Sequence, residues 1–354
     1  MRNSISRRTE LQENGLVTFQ NSILGDILVV KILDYLFKNG EIDRLYAMTM
    51  ESQDVSAEVR KLPPPVYAVL RRANILDSNS RLSTSFVELI QERNANLRSR
   101  IDFLLLSIAD FISFGEDLLW KPESFMAKSS VFKLFDYTAG FEETETARAK
   151  TALWCQYVSA LTEDESGHIL NALERTNVVM HDIDVLECGG NIGTFARNFI
   201  KRFPCKSYTI LDIPNVCALG LSCNKIGEPA IEYISADMFC HNLKIGHNNP
   251  PDLIIFKSVL HDWPRERLRS LLANAIRAVS AGGAVCIVER SSFDENTLSA
   301  PTLSDVSNIV FSPFYRDANI YAEIIKNIDA SVEVSVEYFW IEMEWFILSA
   351  RRKR

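Results

Sequence analysis

Apolar residues keep a helical period through the first half of the chain and then, from residue 184, gather into short runs separated by amphipathic stretches. Ile23, Ile27, Val30, Ile32, Leu33, Leu36 and Phe37 recur at roughly helical spacing, and Asn39-Gly40 supplies a C-terminal stop, so residues 15–50 read as helices. Val55-Ser56-Ala57-Glu58 opens a further helical stretch, punctuated by Pro63 to Pro65. A helix over 66–76 then enters the polar turn at Asp77–Ser80 and a second short apolar piece, the succession of a winged-helix unit. Helical spacing continues from 101 to 180, crowded with Phe111, Phe114, Trp120, Phe125, Phe132, Phe135, Tyr137 and Phe141. Aromatic density of this kind serves either a helix–helix core, the commoner use, or the wall of a pocket.

Beyond 184 the pattern alternates. Val185–Cys188, Tyr208–Leu211, Ile231–Ile234, 252–256 and 284–288 are predicted strands, and 194–202, 215–226 and 264–279 are helices between them. Such alternation predicts a doubly wound, parallel α/β sheet with ligands at the carboxyl ends of its strands. Val332–Val336 and Trp345–Ser349 add two strands that close one edge.

A length of 354 residues suggests two domains, a helical one over 1–103 and an α/β one over 104–354. Net charge is −8, and residues 1–100 hold 14 Lys/Arg against 12 Asp/Glu, so the winged helix has no basic face and a nucleic-acid partner is not expected. It reads instead as a dimerisation module, the partner being a second copy of the chain. Residues 1–10 lack an apolar h-region, and Phe103–Phe114 is too short for a span and broken by Asp110, so no membrane is expected and the cytoplasm is the default location. Seven cysteines (155, 188, 205, 217, 223, 240, 286), mostly beside apolar residues, suggest reduced thiols. His241 and His247 approach a ligand spacing, but plain loop polarity accounts for them and no metal is expected.

Four features fall at the carboxyl ends of successive strands. Gly189-Gly190-Asn191-Ile192-Gly193 is a tight strand-to-helix turn that lacks the G-x-G-x-x-G order of a dinucleotide fold. Asp212 follows Gly189 by 23 residues, where a carboxylate can accept both hydroxyls of a ribose and, without excluding that, cap the next helix. Asp237 and Met238, one strand further, suit an adenine with its exocyclic amine on the carboxylate. Lys257 to Trp263 places His261 just past a strand end, with Asp262 beside it. These point to a nucleoside without pyrophosphate and to a titratable base.

In order and spacing, Leu186–Gly193, Leu211–Val216, Ala236–Phe239, Lys257–Trp263 and Ala281-Gly282-Gly283…Val288-Glu289 resemble the S-adenosylmethionine-dependent small-molecule O-methyltransferases of the caffeate, acetylserotonin and bacterial polyketide type. The resemblance covers nearly the whole chain, winged-helix dimerisation domain included, and Leu-His-Asp-Trp is its most specific part. It implies S-adenosylmethionine as cofactor, held by Gly189, Gly190, Gly193, Asp212, Asp237, Met238 and Lys257. It implies His261 as general base for an aromatic hydroxyl, with Glu289, 28 residues on, as supporting acid and Asp262 counted with them. Trp154, Tyr157, Phe311 and Tyr315 would line the acceptor pocket. Tyr315 stands where the family has a second acid, with Asp317 as a substitute; Glu187 replaces an aspartate and Asn191 a glycine. Carbon or nitrogen methylation, or a non-methylating reaction such as cyclisation, remain alternatives at this point. So, at lower weight, do a DNA-binding regulator and a nicotinamide-dependent oxidoreductase.

Overall fold

The computed structural model describes residues 15–353 apart from 52, 135, 136, 138, 180, 225–229, 240–242, 244–249 and 294–304. Phe135, Cys240, His241 and His247 therefore lie outside the described residues. The chain divides into two units, Met1–Gly115 with Pro301–Asn308, and Glu116–Ala300 with Ile309–Arg354.

The first unit is helical: α1 (Gly15–Leu24), α2 (Ile27–Lys38), α3 (Glu41–Met50), α4 (Ser56–Val59), α5 (Pro64–Arg72) and most of α6 (Thr84–Trp120). Asp26 caps α2 by accepting from the Leu28 N–H at 2.9 Å. Gly40, at φ +70°, lets α3 begin at once after the stop that ends α2. Of the periodic apolar positions, Ile23, Val30, Leu33, Leu36 and Phe37 join the core with Leu24, Ile42, Val59, Ile75, Phe86 and Leu89, whereas Ile32 is partly buried and Ile27 exposed. Past the turn at 77–80 a single antiparallel bridge, Leu76 to Leu82, joins the two short apolar pieces. α6 is interrupted where Arg93 and Phe114 leave helical geometry, each at φ −135°.

The second unit continues with α7 (Pro122–Lys128), α8 (Ser130–Leu134) and α9 (Glu145–Thr176), then alternates β1 (Asp184–Cys188), α10 (Thr194–Arg202), β2 (Ser207–Asp212), α11 (Pro214–Cys223), β3 (Glu232–Ser235), β4 (Leu253–Lys257), α12 (Arg265–Ala278) and β5 (Ala284–Arg290). α13 (Val306–Phe311), α14 (Ala318–Ile328), β6 (Glu333–Trp340) and β7 (Glu344–Arg351) complete it. Strand order is β3-β2-β1-β4-β5-β7-β6, with the first five parallel and β7 antiparallel to both β5 and β6. β4 and β5 are buried throughout, including Lys257, Glu289 and Arg290 at their carboxyl ends, whereas edge strand β6 alternates. Strand order reverses between β1 and β4, so a crevice opens at their carboxyl ends. Among the described residues no single helix is long and apolar enough to cross a membrane.

Candidate active site

Three residues of the turn after β1 are left-handed: Gly189 (φ +75°), Asn191 (φ +54°) and Gly193 (φ +81°). They fold the strand directly into α10. A Cβ at Gly189 would lie 2.6 Å from Val259 Cγ2 beyond β4, and one at Gly193 would lie 2.6 Å from the Tyr233 hydroxyl. Asparagine is one of the few non-glycine residues that tolerate this left-handed region. The Asn191 N–H donates to Asp212 Oδ2 at 2.9 Å.

Asp212 Oδ1 accepts the Ile213 N–H at 2.8 Å, and α11 starts without a side-chain cap, so the helix-capping role for Asp212 falls away. Burial raises its carboxyl to about 6 against those two backbone bonds. Asp237 Oδ1 accepts from the Phe239 N–H at 2.9 Å; Met238 and Phe239 pack half-buried against the sheet core. Lys257 ends β4 in a buried position, 3.2 Å from Thr162 Oγ1 and 4.0 Å from Glu165 Oε2, and Glu165 also pairs with Arg290. Glu187 is buried under the turn, takes the Tyr208 hydroxyl at 2.9 Å and is raised by burial to about 7.

His261 sits in a 3₁₀ turn, Leu260–Asp262, immediately after β4. Its Nδ1 lies 2.7 Å from Glu289 Oε2, while Glu289 Oε1 accepts the Val259 and Leu260 N–H groups at 2.9 and 2.8 Å. Its Nε2 lies 3.2 Å from Asp262 Oδ1, and Asp262 Oδ2 takes the Tyr137 hydroxyl at 2.7 Å. Burial works against the charged ring, but Asp262 and Glu289 outweigh it and set the His261 pKa above the ordinary imidazole value. Burial likewise acts to raise Glu289, yet His261 and the two N–H groups leave it below the usual carboxylate range. Asp262 is raised by burial to about 6.

Of the aromatic candidates, Tyr315 meets the His261 ring edge-on at 5.3 Å between centroids, and Trp154 lies 6.4 Å from Phe311. Phe311 and Phe314 both pack on Phe132, and Tyr157 is buried on α9. The segment expected to be mostly core is mixed: Phe125 is fully buried, whereas Trp120 and Phe141 are exposed. Asp317 is exposed and accepts from the Ser292 hydroxyl, so it is not placed as a substitute acid on His261. Sequence reasoning missed Tyr137 as a partner of Asp262, Trp263 stacked on Tyr137 at 5.0 Å, and Arg316, which donates to three carbonyls of the histidine turn. Trp263 stood in the quoted motif and its ring could have been nominated. The Tyr137 and Arg316 contacts join residues more than fifty positions apart and leave no local pattern.

Among the described residues no cluster of His, Cys, Asp and Glu could hold a metal ion. Residues 124–327 match the model of a family described as the O-methyltransferase domain. The chain is 31% identical over 109 residues to 3-hydroxy-5-methyl-1-naphthoate 3-O-methyltransferase of Streptomyces sahachiroi, a stretch covering 30% of each chain. Human N-acetylserotonin methyltransferase, solved in complex with SAM, shares the fold with a TM-score of 0.63 over 92% of this chain and 94% of that one, at 16% identity. N,N-8-amino-8-demethyl-D-riboflavin dimethyltransferase from Streptomyces davawensis gives 0.63 over 93% and 96%, also at 16% identity.

Proposed function

The chain belongs to the S-adenosylmethionine-dependent O-methyltransferase family, and from that premise we propose that it methylates a hydroxyl of a small aromatic acceptor with His261 as general base. The observation that carries the reading is the His261–Glu289 pair at 2.7 Å, anchored through Glu289 to the backbone of its own turn. A carboxylate on Nδ1 fixes the ring orientation and the tautomer in which Nε2 takes the proton.

The crevice residues fit the cofactor. The glycines at 189, 190 and 193 let the turn pack closely on Val259, Glu187 and Tyr233, and the buried Tyr233 hydroxyl beside it has no hydrogen-bond partner among the described residues. Asp212, poised near 6 by burial, gains from the hydroxyl donors that a ribose brings. Gly189, Gly190, Gly193 and Asp212 would hold the amino-acid and ribose parts, Asp237 and Met238 the adenine, with Lys257 alongside. When bound, S-adenosylmethionine supplies an activated methyl sulfonium.

The protein's part is to deliver an oxygen nucleophile in line. A phenol of pKa near 10 is about one part in a thousand ionised at neutral pH, so a positioned base contributes roughly 10²–10⁴-fold. In the resting arrangement Asp262 occupies Nε2, so the acceptor hydroxyl must displace that carboxylate, which Tyr137 is placed to retain. Its departure removes one of the two charges that raise the His261 pKa, so the neutral ring able to take the acceptor's proton is reached at lower pH. Trp154, Phe311 and Tyr315 supply apolar walls for a flat acceptor. We assign the helical region, 1–103, to pairing with a second copy and 104–354 to catalysis.

A second reading, methylation of an amine, draws on the fold shared with the riboflavin-analogue dimethyltransferase and on the absence of a second acid at Tyr315. The two part on one experiment. His261→Gln is expected to leave S-adenosylmethionine binding by calorimetry within about threefold while transfer to a panel of phenols and naphthols falls about 10²–10⁴-fold. Undiminished turnover in that variant removes His261 from the mechanism, and turnover confined to aniline-type acceptors favours the amine reading.

A further inference from the structure

The turn that carries His261 is weakly held by its own backbone. The Asp262 N–H reaches Val259 O at 3.4 Å and the Trp263 N–H reaches Leu260 O at 3.3 Å, both beyond the usual range for such bonds. Ser258, just ahead, is left-handed at φ +52°, a position where a side chain costs energy. Two side chains from distant parts of the chain hold the turn instead. Glu289 collects its N–H groups. Arg316 collects its carbonyls: Nη2 donates to Trp263 O at 2.7 Å and Nη1 to Leu260 O at 3.2 Å, with His261 O a longer contact of Nη1 at 3.3 Å.

We infer that Arg316 is a positioning residue, whose guanidinium fixes the His261 turn from its carbonyl side and so aims Nε2 at the acceptor oxygen. The inference rests on the reading of His261 as base. Carbonyls facing different ways suit the planar guanidinium, whose five donors spread over three nitrogens, better than a lysine's three donors on one nitrogen. Tyr315, next in the chain, meets the ring edge-on and offers it no acid. The 315–316 segment therefore acts on the histidine through backbone orientation rather than through a second carboxylate on the ring. Misplacement of a reacting group by about 1 Å costs up to about 10²-fold in rate, so the clamp's effect should appear in kcat and not in cofactor affinity.

The test uses the full chain with Arg316→Gln, Arg316→Lys, His261→Gln and the His261→Gln/Arg316→Gln pair, assayed with S-adenosylmethionine and the phenol or naphthol that the unsubstituted protein turns over fastest. Arg316→Gln should lower kcat about 10–100-fold with S-adenosylmethionine affinity within about threefold, Arg316→Lys should recover little of it, and the double variant should be less than about threefold slower than His261→Gln alone. Multiplying losses in the double variant, or an unchanged kcat in Arg316→Gln while His261→Gln is impaired, overturn the clamp and leave the base standing. An unimpaired His261→Gln overturns the base reading itself. Should Arg316→Gln not fold, Arg316→Lys carries the same comparison. A readout that needs no acceptor is the His261 imidazole titration by ¹³C NMR, assigned through His261→Gln: its midpoint should move by about 0.5 pH or more in Arg316→Gln, and an unmoved curve overturns the inference.

Discussion

His261 lies between two carboxylates, and that placement makes a pH prediction with a definite sign. Glu289 on Nδ1 and Asp262 near Nε2 together favour the imidazolium over the neutral ring, against the pull of burial. A base whose pKa is raised stays protonated to higher pH, so the acidic limb of kcat/KM should fall above the ordinary imidazole value of about 6.5. Asp262→Asn removes one of the two charges and is expected to move that limb to lower pH. Tyr137→Phe should move it the same way by less, because loss of the hydroxyl at 2.7 Å makes Asp262 easier to protonate. A limb that stays in place in Asp262→Asn would show that Asp262 is already neutral across the working range. Of this arrangement the motif indicated His261, Asp262 and Glu289. It gave no hint that Asp262 would occupy the nitrogen needed for catalysis, since rotamers are set by packing partners such as Tyr137, 125 residues away.

The turn after β1 shows what a strand-to-helix junction demands of its residues. Gly193 is the last residue before α10, left-handed at φ +81° and within 2.6 Å of Tyr233 Oη if it carried a Cβ. Gly193→Ala should therefore destabilise the protein by about 1–2 kcal/mol in denaturant unfolding and weaken S-adenosylmethionine binding in the same variant. Adding Tyr233→Phe relieves the contact but not the backbone strain, so recovery should be partial; full recovery would mean that the contact alone was at fault. The glycines and the strand–helix alternation were legible because backbone freedom and hydrophobic period are local properties. Asn191 shares this left-handed geometry, at φ +54°. The winged-helix hairpin, predicted from two apolar pieces about a polar turn, shows a single bridge, Leu76 to Leu82, around the five turn residues 77–81.

For the whole chain, the α/β order of elements and the family could be read from sequence, because the chemistry-bearing motifs all sit at strand ends that the topology brings to one crevice. Surface patches were less legible: periodicity marks a residue as apolar but does not say what covers it. Ile112, Leu119 and Trp120 of α6 are 77%, 66% and 77% exposed. Phe111, in the same helix, is 36% exposed and was read as aromatic core or pocket wall. Leu119 and Trp120, adjacent and both largely exposed, are costly to leave in water, and self-association is the use that fits, extending the pairing proposed for residues 1–103 to the end of α6. The expected result is a mass of two chains by sedimentation at micromolar concentration. Leu119→Asp with Trp120→Asp should shift it to one chain without loss of helical circular dichroism, since neither side chain belongs to a core. A dimer that survives both charges would place the interface elsewhere, and a single-chain mass for the unsubstituted protein would remove pairing from the account altogether. If the dimer forms, methyl transfer measured across the dissociation range reports whether pairing matters for catalysis: a specific activity that falls as the protein is diluted through that range ties the two together.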